Sequence, residues 1–171
     1  GGTTRGGIWN ICYCASVSGS SCTSAADFST RMGKLVIYGP SPVTQNHVCH
    51  AGFTCTLTFT GQRLSIHDRV SFVKASGGTC GLSGPDANLA SGVEKALSAD
   101  QTILLAAADV PQGGQWKMCY CTDDSAADRK CGDAGVADYG ALAGILTVLG
   151  PSPNSQDQTC VAGFACNLQI V

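Results

Sequence analysis

Cysteine is the residue type with the most chemistry to offer in this chain, because eleven of the 171 residues are cysteines. Thiols in such numbers serve as disulfides, metal ligands or redox groups. The two Cys-x-Cys motifs, Cys12-Tyr13-Cys14 and Cys119-Tyr120-Cys121, lack the Cys-x-x-Cys spacing of zinc knuckles and thiol oxidoreductases. A disulfide framework, typical of extracellular proteins, is therefore the favoured interpretation.

The two motifs belong to an internal repeat. Residues 7–59 and residues 114–170 share a tryptophan, five cysteines and a Gly-Pro-Ser-Pro string in the same order. The offset between the copies is 107 residues at Trp9 and Trp116 and 111 residues at the later cysteines. The second copy contains no counterpart of residues 61–107, so it is expected to be an incomplete module with a thin core.

Short loops suggest how eight of the cysteines pair, which leaves Cys12 for Cys80, although spacing alone does not decide among the possible connectivities. An Ala-Gly-Phe turn, for example, separates Cys49 from Cys55. The expected pairs are Cys49–Cys55, Cys160–Cys166, Cys14–Cys22, Cys121–Cys131 and Cys12–Cys80. Cys119 is then the unpaired or intermolecular cysteine, and the odd total requires at least one thiol that is free or bonded outside the chain.

Histidines next to a cysteine raise the possibility of a zinc site. His47 and His50 flank Cys49, but the second copy has Gln158 and Val161 at the matching positions. A repeated structural zinc site would keep its ligands in both copies. We therefore predict no bound metal and no cofactor.

Catalytic motifs are absent from the sequence: it has no Gly-x-Ser-x-Gly elbow, Walker loop, His-Glu-x-x-His or dinucleotide fingerprint. His67-Asp68 resembles part of a Ser-His-Asp site, but a solvated loop pair is the favoured interpretation. Trp9 and Trp116 lie beside cysteines, which indicates core positions rather than sugar-stacking ones. An acidic loop lacks EF-hand spacing; its members are Asp123, Asp124, Asp128, Asp133 and Asp138. We predict that the protein is not an enzyme.

Two Gly-Pro-Ser-Pro strings follow predicted strands, and their prolines are expected to lie in extended, exposed turns. Ser-Pro repeats are similar to the hydroxyproline O-glycosylation sites of plant and algal wall proteins, which implies covalent glycans. The alternative is that the prolines only stiffen turns. The candidate modification sites are Pro40, Ser41, Pro42, Pro151, Ser152 and Pro153.

Short segments rich in Val, Ile, Thr and aromatic residues predict β-strands, with Gly-Pro, Ser-Pro and Gly-Gly between them. The predicted strands are residues 8–15, 34–38, 55–60, 69–75, 102–107, 115–122, 144–149 and 165–171, and residues 91–99 are the one helical candidate. This pattern favours an all-β protein of two tandem immunoglobulin-like β-sandwich modules stapled by disulfides. The expected domains are residues 1–109 and the incomplete residues 110–171.

Composition excludes several classes of protein. Ten Lys and Arg against twelve Asp and Glu give a net charge of -2, which leaves no basic footprint for nucleic acid. No apolar run is long enough to span a membrane. A hydrophobic fraction of 44% with few charges is unlike that of a disordered chain.

The combination Trp-x-x-Cys-Tyr-Cys, Asp-Phe, Gly-Pro and Cys-x-Ala-Gly-Phe-x-Cys resembles tandem cysteine-rich modules in very large surface proteins of protists, found in alveolates and algae. The resemblance covers residues 7–80 and 114–171. The chain also looks similar to the protein cores of extracellular glycosylated fibrils and mastigoneme-like filaments. This resemblance implies an extracellular or cell-surface location and a structural or adhesive role.

Two functions follow from these observations. The first is a structural subunit of an extracellular fibril that assembles head to tail with itself into a helical or linear homopolymer. The second is an adhesin or glycan-binding module of a larger surface protein. The first function predicts that the second module presents an open sheet edge to the next protomer. The residues of this assembly edge are Ala165, Cys166, Asn167, Leu168, Gln169, Ile170 and Val171.

Overall fold

A computed structural model of the chain describes residues 6–15, 22–123, 130–153, 156–162 and 165–170. The described residues form β-strands joined by turns and short 3-10 segments, and they contain no α-helix, so the all-β prediction is confirmed. The strands are β1 (Gly7–Tyr13), β2 (Thr30–Ile37), β3 (Gly39–Pro40), β4 (His47–His50), β5 (Cys55–Thr58), β6 (Gly61–Gln62), β7 (Arg69–Lys74), β8 (Lys95–Ala96), β9 (Thr102–Leu105), β10 (Gly114–Cys121) and β11 (Ala141–Leu149). The 3-10 segments are Ala25–Asp27, Ala90–Gly92, Ala107–Asp109 and Gly135–Asp138.

The helix expected over residues 91–99 is wrong. Ala90, Ser91 and Gly92 have φ angles of 50°, 56° and 68°, which lie in the left-handed region and cannot continue into a right-handed helix. The chain then enters β8, which pairs with the start of β7. Main-chain pairing to a neighbouring strand therefore overrides the amphipathic pattern of this segment.

The repeat is visible in the structure as two versions of one antiparallel hairpin, β1–β2 and β10–β11. Every residue pair of the first hairpin has its counterpart in the second. Gly7 opposite Ile37, for example, matches Gly114 opposite Val148. The register shifts at the same point of both hairpins, immediately before Cys12 and Cys119. The two hairpins therefore have the same shape and the same assignment of residues to faces.

The open end of each hairpin closes in the same way. The N–H of Gly113 donates a hydrogen bond to the carbonyl oxygen of Pro151, at 2.8 Å, and the N–H of Gly6 does the same to Pro40, at 2.9 Å. A Cβ atom on Gly113 would lie 2.1 Å from the carbonyl oxygen of Gly150. Only glycine allows the two chains to approach this closely.

The largest sheet has five strands in the order β4-β11-β10-β7-β8 and combines both copies of the repeat. β10 runs antiparallel to β11 and β7, and β4 adds to β11 in parallel. The three strands β4, β7 and β8 come from the first copy, whereas β10 and β11 come from the second. The domain boundary expected between residues 109 and 110 therefore passes through the middle of one sheet, because a hairpin of one repeat pairs with strands of the repeat before it.

Three smaller sheets have two strands each: β1–β2, β3–β6 and β5–β9. The main hydrophobic core lies where the five-stranded sheet meets β5–β9, and both copies contribute to it. From the first copy come Leu57, Phe59, Val70, Phe72, Leu89, Ile103, Leu105 and Val110, and from the second come Trp116, Met118, Tyr120, Leu146 and Val148. Removal of this apolar surface from water is the main driving force that joins the two copies.

Candidate functional site

The contact between hairpin β10–β11 and the first-copy residues 39–110 is the candidate functional site. We call residues 39–110 the receiving half-module. β10 pairs with β7 from Trp116 opposite Lys74 to Cys121 opposite Arg69, and β11 pairs with β4 on its other side. Both edges of this hairpin are covered, so the open edge expected in the second copy is not found there.

A partly buried hydrogen bond fixes the tryptophan of this hairpin. Trp116 is 2% exposed, and its Nε1 donates to Oδ2 of Asp86 at 3.0 Å. Asp86 also accepts the N–H of Asn88 at 3.0 Å. Burial raises the pKa of Asp86, but the hydrogen bonds from Asn88 and Trp116 outweigh it and hold the pKa below its usual range. An ionised carboxylate therefore receives the indole.

The tyrosine of the same hairpin face binds a second carboxylate. The hydroxyl of Tyr120 donates to Oδ2 of Asp68 at 2.6 Å, and both side chains are buried. Asp68 also accepts the N–H groups of Ser65 and Asp123, each at 2.8 Å. Burial, together with this hydrogen bond, raises the pKa of Tyr120 well above its usual range. Asp68 is therefore a structural partner of Tyr120 and not the solvated neighbour of His67 that the sequence suggested, while His67 itself is exposed.

The disulfides follow the repeat with one difference. The structure joins Cys14 to Cys22, Cys121 to Cys131, Cys49 to Cys55 and Cys160 to Cys166, the pairs expected from short loops.

The fifth disulfide corrects the remaining pair. Cys80 bonds to Cys119, not to Cys12, and Cys12 is the free, exposed thiol. The reason is the sheet order: β10 lies next to β7, which brings Cys119 close to the loop that follows β7. The disulfide therefore crosses the boundary between the two copies.

The hairpin β1–β2 has the same register but a different environment. Trp9 is 38% exposed and Tyr13 is 51% exposed, whereas their counterparts Trp116 and Tyr120 are 2% and 1% exposed. Other matched pairs show the same contrast: Ile11 with Met118 and Leu35 with Leu146 are exposed in the first copy and buried in the second. An apolar face built for burial is thus left on the surface.

The C-terminal residues show the reverse contrast: here the first-copy residue is buried and the second-copy residue is exposed. Leu57 is fully buried in β5, which pairs with β9, whereas its counterpart Leu168 is 67% exposed. Residues 165–170 form no strand, so the predicted strand is wrong for them, and Val171 lies outside the described residues. No counterpart of β9 lies within residues 1–171 for this segment to pair with.

The candidate modification sites differ in their exposure. Pro40 is buried because it pairs with Gly61 in β3–β6, so its expected position in an exposed turn is wrong. Ser41 is half-buried and Pro42 is exposed. The three second-copy candidates, Pro151, Ser152 and Pro153, are all exposed.

Within the described ranges, no group of three or more His, Cys, Asp or Glu side chains is placed to hold a metal ion. Asp138 accepts the N–H groups of Gly132 and Ala134 and so stabilises its own turn. Asp124 and Asp128 of the acidic loop lie outside the described residues. No helix in the described part of the chain is long and apolar enough to cross a membrane.

Sequence reasoning missed the two carboxylates that receive the hairpin, Asp68 and Asp86. A signal was available, because a buried indole N–H and a buried phenol each require a hydrogen-bond acceptor. The matched Trp and Tyr of the repeat therefore indicate two hydrogen-bond acceptors, but spacing does not show where these acceptors lie along the chain. The chain matches no protein-family model, no curated protein and no solved structure.

Proposed function

We propose that this protein is a structural component of an extracellular fibril or filament, made of tandem β modules that interlock along the chain. One observation carries this proposal: the five-stranded sheet is completed by a hairpin from the following repeat. Each repeat therefore provides a hairpin to one neighbour and receives a hairpin from the other. Such heterologous contacts produce open chains of modules unless the rotation closes a ring.

The geometry suits a mechanical role. Pulling hairpin β10–β11 out of the receiving half-module would expose the main core, break the bonds of Trp116 and Tyr120 to their carboxylates, and still leave the covalent link between Cys80 and Cys119. Neighbouring repeats are thus held by packing and by a disulfide together. A filament under tension needs this kind of connection between its units.

Several features support an extracellular setting for this function. Ten of the eleven cysteines form disulfides, which persist in oxidising compartments. The exposed residues Pro151, Ser152 and Pro153 are accessible for the proposed glycans. The resemblance to protist surface and fibril proteins agrees with both points. We further propose that each completed module is an immunoglobulin-like sandwich.

Microscopy of the native material tests the proposal. Negative-stain images should show filaments that antibodies raised against the 171-residue chain label at regular intervals along their length. Single globular particles, labelled once each, would contradict it. A denaturing gel under reducing conditions then separates two forms of the proposal: a band of 17 kDa indicates separate subunits, and a very large band indicates one continuous repeat chain.

A second candidate function is an adhesin or glycan-binding module. The observation in its favour is that Trp9 and Tyr13 lie exposed on one face of β1–β2, since exposed aromatic rings can stack on sugars. Binding of the full chain to a glycan array, abolished by Trp9→Ala, would support it over the structural role.

A further inference from the structure

The exposed face of hairpin β1–β2 has a complete template inside the same molecule. The two hairpins agree in strand register and in the position of the register shift, and the matched positions of the buried face are apolar in both copies, although Ala143 is matched by the larger Met32. Trp matches Trp, Tyr matches Tyr, and Leu35 matches Leu146. What covers the face of β10–β11 therefore indicates what fits the face of β1–β2.

The template defines the chemistry of the partner. The receiving half-module provides a strand, β7, for the first strand of the hairpin, and another, β4, for the second. It provides Asp86 for the indole N–H, Asp68 for the phenol, and apolar side chains between them. Trp9 and Tyr13 carry the same donors at the same register positions, so the same acceptors fit them.

The cysteines give an independent observation. Cys119 is bonded to Cys80, which precedes it by 39 residues. Cys12 occupies the position of Cys119 in the first hairpin and is the one free cysteine of the chain.

We propose that hairpin β1–β2 docks into a further copy of the receiving half-module, and that Cys12 forms a disulfide with the residue of that copy that matches Cys80. The inference deepens the proposed function, since it names the partner surface and the covalent link between successive modules. The partner is a segment with the chemistry of residues 39–110. Its hairpin site is vacant until β1–β2 fills it.

Two other segments of residues 1–171 fit the face of β1–β2 less well. Its own receiving half-module is already filled by β10–β11. The C-terminal residues 156–170 match only the region of β4 and β5, so they have no counterpart of Asp68, Asp86 or Cys80. A second molecule that offered only its C-terminal segment would therefore present none of the three groups that receive Trp116, Tyr120 and Cys119.

The disulfide step balances with a disulfide oxidant. The Cys12 thiol and the partner thiol together lose two protons and two electrons, and one S–S bond forms between them. A small disulfide such as oxidised glutathione takes up both electrons and both protons and becomes two thiols. The oxidising compartment in which the other five disulfides form provides such an oxidant.

A fusion protein tests the inference with the full chain intact. A second copy of residues 39–107 is placed directly ahead of Gly1, which restores the separation of 39 residues between the added Cys80 and Cys12. The protein is oxidised with a glutathione mixture, and its thiols are counted by alkylation and mass spectrometry. We expect one alkylated thiol in the original chain, none in the fusion, and a peptide linking Cys12 to the added Cys80.

A matched control carries Cys80→Ser in the added copy only. It should again show one alkylated thiol, at Cys12. The added segment contains no tryptophan, so acrylamide quenching reports the same two indoles in every variant. The quenchable fraction assigned to Trp9 should fall in the fusion and also in the Cys80→Ser control, because docking does not need the disulfide. Two alkylated thiols in the fusion, or unchanged quenching, would overturn the inference.

A second variant keeps the inference testable if the fusion does not fold. Residues 114–148 of the full chain are replaced by a second copy of residues 7–37, so that the first hairpin is offered to the existing half-module. Cys80 should then bond to the transplanted Cys12, and Trp fluorescence should show one shielded indole. Failure of Cys80 to form this bond would also overturn the inference.

The inference and the proposed function can fail separately. If the native material shows no filaments but the fusion forms a disulfide between Cys12 and the added Cys80, the proposed fibril function is wrong and the docking inference stands. If the native material forms filaments in which Cys12 can still be alkylated, the docking inference is wrong and the proposed fibril function stands.

Discussion

Tyr120 and Asp68 belong to different copies of the repeat, and the hydroxyl of Tyr120 donates to Oδ2 of Asp68 across 2.6 Å in the buried core. Asp68 is fully buried, and its other hydrogen bonds come from the main-chain N–H groups of Ser65 and Asp123. The carboxylate of Asp68 thus links the segment before β7 in the first copy to Tyr120 and to the end of β10 in the second copy. The interlock of the repeats therefore depends on polar contacts as well as on apolar packing.

We predict that Tyr120→Phe lowers the free energy of unfolding by about 1–3 kcal/mol, because a buried acceptor loses its partner. Tyr13→Phe, at the matching position of the exposed hairpin, should change it by less than about 0.5 kcal/mol. Urea unfolding with the disulfides intact measures both. Equal effects of the two substitutions would show that the bond to Asp68 does not stabilise the fold.

Alkaline pH should destabilise the protein through two tyrosines. Burial raises the pKa of Tyr139 to about 12, with a further contribution from Glu94, and burial and Asp68 raise that of Tyr120. Above pH 10, the ordinary value, the unfolded chain loses these protons while the folded protein keeps them. The folded state then binds more protons, so stability falls as pH rises, by up to about 1.4 kcal/mol per pH unit for each tyrosine.

Urea unfolding at pH 9 and pH 11 checks this slope. The variant Tyr120→Phe should show a smaller loss of stability over this range than the unaltered chain, since one of the two groups no longer titrates. An unchanged slope in this variant would assign the effect to other groups.

The thiols give a third prediction. Alkylation of the folded, oxidised chain should label Cys12 alone, because it is the exposed and unbonded cysteine. Cys80→Ser should lower the free energy of unfolding by about 2–5 kcal/mol and make Cys119 available for labelling after unfolding. Cys12→Ser is the matched control and should leave stability within about 0.5 kcal/mol of the original. Labelling of Cys119 in the unmodified folded chain would contradict the prediction.

Local patterns carried most of the strand assignment. Short segments rich in Val, Ile, Thr and aromatic residues predicted the strands that became β1, β2, β5, β7, β9, β10 and β11, because such side chains suit an extended chain in a sheet. The same kind of pattern failed at residues 165–170. Leu168 is as suited to a strand as Leu57, but Leu57 has Ile103 of β9 opposite it, and Leu168 has no such neighbour.

The candidate site could not be placed from the sequence for a related reason. Sequence similarity divides the chain at the start of each Trp-containing hairpin, whereas the five-stranded sheet joins β4, β7 and β8 of the first copy to the hairpin β10–β11 of the second. Pairing cysteines within one copy therefore assigned Cys80 to Cys12 rather than to Cys119. Which copy receives a hairpin depends on contacts between distant residues, and these leave no local pattern.

His47 gives the last prediction, on the acid side. It begins β4, and its ring lies 5.7 Å from that of Phe59 between centroids. Its Nε2 atom is buried with no hydrogen-bond partner within the described residues. Burial lowers the pKa of His47 below its ordinary value of 6.5, and the backbone of Thr58 opposes this only in part.

Well above pH 6.5, His47 is neutral in both the folded and the unfolded chain, so its titration does not affect the free energy of unfolding. As pH falls below 6.5, the unfolded chain is protonated first, so it binds more protons and stability is lost. We therefore expect the free energy of unfolding to fall between pH 7.5 and pH 5, and to fall less in His47→Gln, which introduces the residue that the second copy has at Gln158. His50→Gln, at an exposed position of the same strand, is the control and should behave like the original chain. If His50→Gln removes as much of the pH dependence as His47→Gln, burial of His47 is not its cause.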